Sequence, residues 1–185
     1  MRRVSVVGNS GSGKSTLART LAGRLGVPYV ELDSIYHQAD WTPLDADAFA
    51  ARVRSLTAAD GWVIDGNYNA VRPLVWARAD TVVWVDPPRR VVMRRVLWRT
   101  LRRGITRREL WNGNRESLRN LLRRDPEENI VRWAWSQHGK LRARYSAAAT
   151  DPANSHLSVV RIANAADADA LLGTASRPAR PDSDG

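Results

Sequence analysis

Short apolar runs alternate with segments of helical periodicity along most of the chain. The runs are rich in β-branched residues and predict strands at residues 3–7, 29–33, 61–66, 81–86 and 157–162. Apolar side chains at helical spacing predict helices at residues 17–25, 46–56, 89–103, 127–145 and 167–172. Apolar strands that alternate with helices are typical of an α/β fold with a parallel sheet.

Local signals define the element ends and the inward faces. Gly26, followed by Pro28, ends the first helix, and Asp45 or Asp47 lies near the start of the second. The predicted inward residues of the two long helices are Val92, Val96, Leu97 and Leu101, then Ile130, Val131, Ala134 and Leu141. Trp62 and Trp84 lie within strands, so we expect them in the core. We expect one domain over residues 1–173, followed by a disordered tail at 174–185 with little to bury.

The first strand leads into a complete phosphate-binding loop, the Walker A motif. It comprises Gly8, Asn9, Ser10, Gly11, Ser12, Gly13, Lys14, Ser15 and Thr16. The glycines allow a tight turn and a close approach of phosphate oxygens to backbone amides, and Lys14 can reach the β- and γ-phosphates. The Ser15 hydroxyl is placed to ligate Mg²⁺. Because a strand precedes this loop and a helix follows it, orphan N–H groups and the helix dipole both favour a bound anion.

Three acids follow predicted strands at the edge where ligands of such sheets bind. They are Asp33, Asp65 and Asp86. Asp65 ends a Trp-Val-Ile run, the pattern of a Walker B strand whose carboxylate holds Mg²⁺ directly or through water. Asp86 has the same pattern but precedes two prolines, so we rank it below Asp65. Each of these acids could instead be a helix cap or a loop acid.

Composition narrows the class of protein. The chain of 185 residues suits one domain with a sizeable core, and it has no cysteine for disulfides or thiolate metal sites. No apolar run approaches membrane-spanning length, and the N-terminus enters a strand directly, so we expect a cytoplasmic protein without a signal peptide. The net charge of +10 arises from residues 89–144, which hold 16 arginines and one lysine against five acids. Such a segment suits weak, non-specific nucleic-acid binding, an arginine-rich region that closes over nucleotide phosphates, or a solvated helix face.

Several motifs together resemble a bacterial group of adenylate-kinase-related P-loop kinases, the topology modulation proteins. The most specific elements are DGNY at 65–68 and WNGNRE at 111–116, whereas the loop at 8–16 is general to P-loop proteins. The resemblance also includes LD at 32–33, Trp41, RAD at 78–80 and VVWVD at 82–86. This resemblance, which covers roughly residues 3–172, implies a P-loop NTPase fold with a five-stranded parallel sheet. It also implies an acceptor-binding region after the second strand and an arginine-rich helical lid at about 100–125.

The resemblance also implies roles for particular residues. DGNY occupies the place of the DGFPR element of adenylate kinases, but the arginine that grips the acceptor phosphate is replaced by Asn69, and Arg72 is the candidate substitute. Arg95 and Arg99 match the two arginines that contact the nucleotide from the helix after the fourth strand. Candidate lid arginines are Arg107, Arg108, Arg115 and Arg119. Trp41 and Trp111 could stack on a base or simply pack.

We therefore expect an ATP-dependent kinase that uses ATP and Mg²⁺. Its predicted catalytic residues are Lys14, Asp33 and Arg99, with Ser15 and Asp65 on the metal and Asp33 with Arg72 on the acceptor. A nucleotide acceptor stands slightly ahead of a hydroxyl acceptor, and the oligomeric state is left open. The alternatives are a nucleotide-dependent regulatory ATPase that binds nucleic acid non-specifically and a non-enzymatic nucleotide-binding module.

Overall fold

The structure is a computed structural model that describes residues 1–106, 111–114 and 130–175. Its strands are β1 (Arg3–Gly8), β2 (Tyr29–Glu31), β3 (Trp62–Asp65), β4 (Thr81–Val85) and β5 (Ser158–Ile162). All pair in parallel, in the order β2-β3-β1-β4-β5. The predicted α/β fold with a five-stranded parallel sheet is confirmed. Because β1 lies at the centre, the phosphate loop that follows it is flanked by the ends of β3 and β4.

Helices connect and cover these strands. They are α1 (Lys14–Leu25), α2 (Leu32–Tyr36), α3 (Ala46–Thr57), α4 (Arg72–Trp76), α5 (Arg89–Thr106), α6 (Ile130–Thr150) and α7 (Ala165–Thr174). Short 3₁₀ turns occupy Ala39–Trp41, Trp111–Gly113 and Pro152–Asn154. Among the described residues, no helix has the length and apolar character needed to cross a bilayer.

Two apolar layers bury the two faces of the sheet. On one face Trp62, Trp84 and Tyr145 pack with residues of α3 and α4. On the other face β-branched residues of β1, β3 and β4 pack against Leu17 and Leu21 of α1 and against α7. Trp62 and Trp84 are 1% and 4% exposed, which confirms their placement in the core. Burial on both faces explains why the strands read as continuous apolar runs.

Two predicted helix ends are confirmed. Gly26 has φ 66° and its N–H bonds to the carbonyl of Ala22, so it ends α1 in the left-handed conformation that glycine tolerates. The carboxylate of Asp45 accepts the N–H groups of Asp47 and Ala48, and it therefore caps α3.

Several details differ from the sequence-based expectation, which did not include the short helices α2 and α4. β2 ends at Glu31, so Asp33 lies in the first turn of α2 and does not end the strand. Of the four predicted inward residues of α5, Val92 and Val96 are buried, whereas Leu97 and Leu101 are 47% and 37% exposed. Where the side chains of α5 are described, its buried residues are Val92, Val96 and Thr100, at a spacing of four residues. The Thr100 hydroxyl donates to the carbonyl of Val96. This buried face is narrower than the apolar composition predicts.

The predicted inward face of α6 is confirmed where it is described. Ala134 and Leu141 are buried, and Ala134 packs against Val92 and Val96 of α5. The side chains of Ile130 and Val131 lie outside the described residues. The last helix extends to Thr174, and Ala175 after it is buried.

Asp80 fastens the N-terminal strand to β4. Its Oδ2 accepts the N–H groups of Arg2 and Arg3 at 2.8 and 3.0 Å, and its Oδ1 accepts the Thr81 hydroxyl at 2.7 Å. Partial burial raises the pKa of Asp80, but the hydrogen bonds from Arg3, Thr81 and Arg2 outweigh it and hold that pKa below its ordinary value. Ionised Asp80 therefore stabilises the folded state at neutral pH.

We expect Asp80→Asn to lower the free energy of unfolding by about 1–2 kcal/mol at pH 7. Because the folded-state pKa is depressed, this stabilisation is present above the unfolded pKa of about 3.9 and is lost as the pH falls through the folded value. The difference between the two proteins, measured by urea unfolding from pH 7 to pH 3, should shrink below about pH 4. Asp60→Asn, at an exposed acid, is the control. A difference that stays constant with pH would contradict the assignment.

Candidate active site

The phosphate loop adopts backbone conformations that need glycine. Gly8 has φ 152° and Gly11 has φ 78°. A Cβ on Gly8 would lie 2.4 Å from the carbonyl oxygen of Val85, and one on Gly11 would lie 2.4 Å from Cγ2 of Val96. The loop therefore packs tightly on β4 and α5. Since α1 begins at Lys14, the first N–H groups of that helix face the loop.

Side chains from distant segments hold the loop backbone. The Asn67 side chain accepts the Gly8 N–H at 3.0 Å through Oδ1 and donates to the Gly8 carbonyl through Nδ2. The Tyr145 hydroxyl donates to the same Oδ1 at 3.1 Å. Asn9 is buried; its Nδ2 donates to the carbonyl of Ala134 at 2.7 Å, while its Oδ1 accepts the Ser10 N–H. The loop is thus tied to the segment after β3 and to α6.

Lys14 and Asp65 form an ion pair at the centre of the site. Lys14 Nζ lies 3.2 Å from Oδ1 of Asp65, a residue that is 1% exposed. The Tyr29 hydroxyl donates to Oδ2 at 3.4 Å, and burial, then the charge of Asp65, raise the pKa of Tyr29. Asp65 ends β3 beside the loop, as the Walker B pattern predicted.

These residues are compatible with Mg²⁺. Oδ1 of Asp65 is buried and accepts no hydrogen bond from the described residues, so its only close partner there is the Lys14 ammonium. Ser15 follows Lys14 in the first turn of α1, and a hydroxyl with a carboxylate is an oxygen donor pair that Mg²⁺ prefers. In the described part of the chain, three or more His, Cys, Asp or Glu residues nowhere converge as a metal site. A protein carboxylate and hydroxyl therefore need phosphate oxygens or water to complete such a site.

Arg95 and Arg99 both reach the phosphate loop from α5. Arg95 Nη1 donates to the carbonyl of Ser12 at 2.9 Å, and Arg99 Nη2 donates to the Ser10 hydroxyl at 2.8 Å. Beside Arg95 an open cleft of about 790 Å³ runs along Gly13, Thr16 and Asn164. This volume is in the range of clefts that bind small-molecule ligands.

Asp33 lies on the other side of the site and is held by Tyr68. The Tyr68 hydroxyl donates to Oδ1 of Asp33 at 2.7 Å, and it lies 3.4 Å from Nε2 of His37. Burial, then the charge of Asp33, raise the pKa of Tyr68, so its hydroxyl stays protonated. The rings of Tyr36 and Phe49 pack around Tyr68 at centroid distances of 4.7 and 5.2 Å.

Arg72, the other predicted acceptor residue, does not contact Asp33. Its Nη1 donates to Oδ1 of Asn69 at 3.2 Å, and its guanidinium lies 5.6 Å from the ring centre of Trp76. Asn69 is the residue where the resemblance to adenylate kinases would place an arginine. Arg72 lies beside that position, and its role as the substitute stays a prediction.

Asp86 has a different environment from Asp65 despite its similar sequence pattern. It is 5% exposed, and its Oδ2 accepts Arg142 Nε at 2.9 Å and Arg161 Nη2 at 2.6 Å. The Arg161 guanidinium also stacks 4.8 Å from the ring centre of Trp84. Two arginines therefore share Oδ2 of Asp86 and neutralise its charge, and through them Asp86 joins α6 to β5 of the sheet.

The WNGN segment fixes the loop that follows α2. Oδ1 of Asn114 accepts the Trp41 N–H and its Nδ2 donates to the Gln38 carbonyl, both at 2.8 Å. Asn112 donates to the carbonyls of Ser34 and His37. Asp40, Trp41 and Asn112 all have φ between 53° and 58°, a conformation that is uncommon outside glycine. Asn114 is 4% exposed, so its two bonds are partly shielded from water, whereas the two bonds of Asn112 are exposed.

Some predicted residues are only partly placed. Arg107, Arg108, Arg115 and Arg119 lie outside the described residues, as does the side chain of Trp111. Trp41 is 39% exposed and its ring lies 5.3 Å from that of His37. In the basic segment, the Arg89 guanidinium stacks 3.3 Å from the ring centre of Trp135. Four further arginines have protein partners: Arg95 and Arg99 bind the phosphate loop, Arg142 binds Asp86 and Arg144 binds Asn69.

Sequence reasoning assigned no role to several residues that shape the site. Asn67 and Tyr68 belong to the DGNY motif, and Asn112 and Asn114 to WNGNRE, so the signal was the amide and hydroxyl chemistry within those motifs. Tyr145 carried no local signal, because it reaches Asn67 from 78 residues away.

Comparisons with known proteins agree with this architecture. No family profile matches the chain. The bifunctional pantoate ligase/cytidylate kinase of Gloeobacter violaceus is 34% identical over 90 residues, which are 45% of this chain and only 15% of that protein.

Among solved structures, a gluconokinase from Sinorhizobium meliloti 1021 has a TM-score of 0.51 at 18% identity and covers 93% of this chain and 91% of its own. The shikimate kinase of Bacteroides thetaiotaomicron has a TM-score of 0.55 at 13% identity, covering 93% and 94%. The shikimate kinase of Acinetobacter baumannii, in complex with shikimate, has a TM-score of 0.53 at 18% identity. The match covers 94% of this chain and 89% of that kinase. At these identities the likeness establishes the fold alone. This chain has the fold of the small P-loop kinases.

We expect Asn114→Ala to loosen the loop at residues 38–41 selectively. The change leaves the Trp41 N–H and the Gln38 carbonyl without their partner, which costs about 1–3 kcal/mol. Hydrogen exchange at the Trp41 amide should accelerate at least tenfold beyond any global change in stability. Asn154→Ala is the control, because the Asn154 side chain also donates to a backbone carbonyl, that of Ala148, in a segment far in sequence from the loop at 38–41. Equal exchange at Trp41 in the two variants would refute the role of Asn114.

Proposed function

We propose that this protein transfers the γ-phosphoryl group of ATP to a hydroxyl group of a small molecule. The observation that carries this proposal is the Asp33 carboxylate, oriented by Tyr68, at the same end of the sheet as the phosphate loop. The order of acceptors expected from the sequence is thereby reversed, since a hydroxyl acceptor now stands ahead of a nucleoside monophosphate.

On the nucleotide side, loop amides and Lys14 would bind the β- and γ-phosphates. Arg95 and Arg99 already donate to the loop and lie one helical turn apart, so both guanidinium groups are held beside the place where the phosphates would bind. Asp65 and Ser15 would hold Mg²⁺, which neutralises charge on the phosphates when bound. The open cleft beside Arg95 would accept the nucleoside. Catalysis then rests on positioning and charge stabilisation.

On the acceptor side, the state of the reacting group decides what Asp33 must do. A phosphate has a second pKa of about 6, so it is largely ionised at neutral pH and needs no base. A hydroxyl keeps its proton, and a positioned carboxylate that takes this proton contributes about 10²–10⁴-fold. Oδ1 of Asp33 is held by Tyr68, and Oδ2 accepts no hydrogen bond from the described residues. Oδ2 can therefore receive the hydroxyl proton as the acceptor oxygen bonds to phosphorus and ADP leaves.

The comparisons lend support without naming the acceptor. The three similar structures are named as a gluconokinase and two shikimate kinases, and gluconate and shikimate both carry hydroxyl groups. The relative in sequence is named for cytidylate, which is a phosphate acceptor. The experiment must therefore include both classes.

The test is ADP formation from ATP and Mg²⁺ with a panel of sugars, sugar acids, hydroxy acids and nucleoside monophosphates. We expect a hydroxyl compound to stimulate ADP formation with stoichiometric phosphorylation of that compound. Lys14→Ala should abolish turnover, because the phosphates lose their cation. The change also leaves the buried Asp65 carboxylate without its countercharge, so circular dichroism and thermal unfolding first establish that the variant is folded under the assay conditions. Turnover that is equal in the variant would remove the catalytic assignment of the loop, and stimulation by monophosphates alone would replace the hydroxyl acceptor.

Asp33→Asn separates the two acceptor classes. It keeps the shape and removes the charge, so kcat for a hydroxyl acceptor should fall at least about a hundredfold while KM for ATP is unchanged. Asp40→Asn is the matched control, because Asp40 is an exposed acid of the same segment and asparagine tolerates its left-handed backbone. A loss of only a fewfold on a confirmed hydroxyl acceptor would show that Asp33 is not the base.

A further inference from the structure

His37 contacts the tyrosine that holds Asp33. It lies four residues after Asp33, at the end of α2, and its backbone N–H donates to the carbonyl of Asp33 at 3.0 Å. Residues at this spacing lie on one side of a helical turn. The Tyr68 hydroxyl, from the segment after β3, lies 2.7 Å from Oδ1 of Asp33 and 3.4 Å from Nε2 of His37. One hydroxyl group is thus within reach of a carboxylate and of an imidazole ring.

The number of protons decides which of these groups donates. A phenol has one O–H to donate, and because burial and then the charge of Asp33 raise the pKa of Tyr68, that proton is retained. The shorter contact, 2.7 Å to a carboxylate, is a charge-assisted hydrogen bond and takes the proton. The Tyr68 oxygen can then only accept from His37. Nε2 of His37 must therefore carry a proton, and the second contact is an N–H···O hydrogen bond from His37 to Tyr68.

Neighbouring groups hold the His37 ring in this orientation. The ring makes edge-to-face contacts with the rings of Tyr36 and Trp41, at centroid distances of 5.2 and 5.3 Å. The side chain of Asn112 donates to the backbone carbonyl of His37 and so fixes the chain that carries the ring. A hydroxyl hydrogen rotates to suit its partners. An N–H donor on a fixed ring therefore directs the hydrogen of Tyr68 away from itself and toward the carboxylate.

We propose that His37 is a positioning residue for phosphoryl transfer, because its Nε2–H fixes the Tyr68 hydroxyl on Oδ1 of Asp33 and so leaves Oδ2 to the acceptor. This inference rests on the proposed kinase activity and adds a residue that acts through Tyr68. Hydrogen bonds in a chain polarise one another, so donation from His37 also strengthens the bond from Tyr68 to Asp33. Without His37, the Tyr68 hydrogen is free to rotate off the carboxylate, and Asp33 loses its fixed orientation.

Histidine NMR tests the hydrogen bond without turnover. The chain has three histidines, so protein labelled with ¹⁵N-histidine gives three ring patterns, and His37→Gln identifies the pattern of His37. Long-range ¹H–¹⁵N correlations distinguish a protonated ring nitrogen from an unprotonated one. At about pH 8, where an ordinary histidine is neutral, we expect Nε2 of His37 to carry the proton. A ring that is protonated on Nδ1 alone would overturn the proposal.

Matched variants test the positioning role in turnover. His37→Phe keeps a ring and removes the donor, so kcat for a hydroxyl acceptor should fall about three- to tenfold, as for the loss of one hydrogen bond, with KM for ATP unchanged. His37→Gln keeps an N–H donor and should retain kcat to within about twofold. His156→Phe is the control, because His156 contacts the carbonyl of Trp76 and not Tyr68. All variants are first checked for unchanged thermal unfolding, and His37→Leu serves if His37→Phe unfolds.

A double-mutant cycle separates this role from a merely structural one. Because His37 acts through Tyr68, His37→Phe should change kcat less than about twofold when it is introduced into Tyr68→Phe. Additive losses, or a loss in His37→Gln equal to that in His37→Phe, would overturn the positioning role. Full turnover of His37→Phe would overturn it too and leave the kinase. The absence of transfer to any compound would overturn the kinase assignment and with it the positioning role, while a protonated Nε2 would still establish the hydrogen bond.

Discussion

The backbone of the phosphate loop must hold its N–H groups ready for an anion, and the remainder of the site is built around that constraint. A flexible glycine-rich turn would lose this arrangement, since glycine has the largest conformational freedom to lose. Here Asn67 clamps both backbone groups of Gly8, Asn9 ties the loop to α6, and Arg95 binds the carbonyl of Ser12. Three structural elements thus define one short loop.

The same clamps connect the two halves of the site. Asn67 and Tyr68 are consecutive, yet the first holds the phosphate loop and the second holds Asp33. A rotation of the segment after β3 would therefore move both the loop and the carboxylate. Asn112 and Asn114 hold the segment at residues 34–41, which follows Asp33, through hydrogen bonds to its backbone groups. The side chains of Asn67, Asn112 and Asn114, together with the Tyr68 hydroxyl, therefore help to set the position of the phosphate loop relative to Asp33 and the segment after it.

Much of the fold follows from local sequence and much of the site does not. The strands, the left-handed Gly26 and the Asp45 cap were predictable, because periodicity, glycine and short polar side chains act within a few residues. The end of β2 was missed, because an apolar run gives no sign of where an extended chain turns into a helix. The exposure of Leu97 and Leu101 was missed as well, since composition alone does not set the width of a buried stripe.

Asp65 and Asp86 show most clearly what local sequence cannot predict about a site. Each follows an apolar strand, and only contacts from far along the chain distinguish them. Arg142 and Arg161 neutralise Asp86, whereas Lys14 from the phosphate loop meets Asp65. Clamps such as Tyr145 on Asn67 have the same origin, because they join residues that only the folded chain brings together.

The ion pair of Lys14 and Asp65 also affects how the binding of a nucleotide would depend on a divalent cation. In the free protein the lysine neutralises a carboxylate that is 1% exposed. A nucleotide that draws the lysine toward its phosphates leaves that carboxylate buried without a countercharge, at a cost of several kcal/mol. A divalent cation carried by the same phosphates restores electroneutrality. Under the proposed function, the pocket would therefore couple the two ligands thermodynamically: metal-free nucleotide would compete poorly for the loop, and each ligand would raise the affinity for the other.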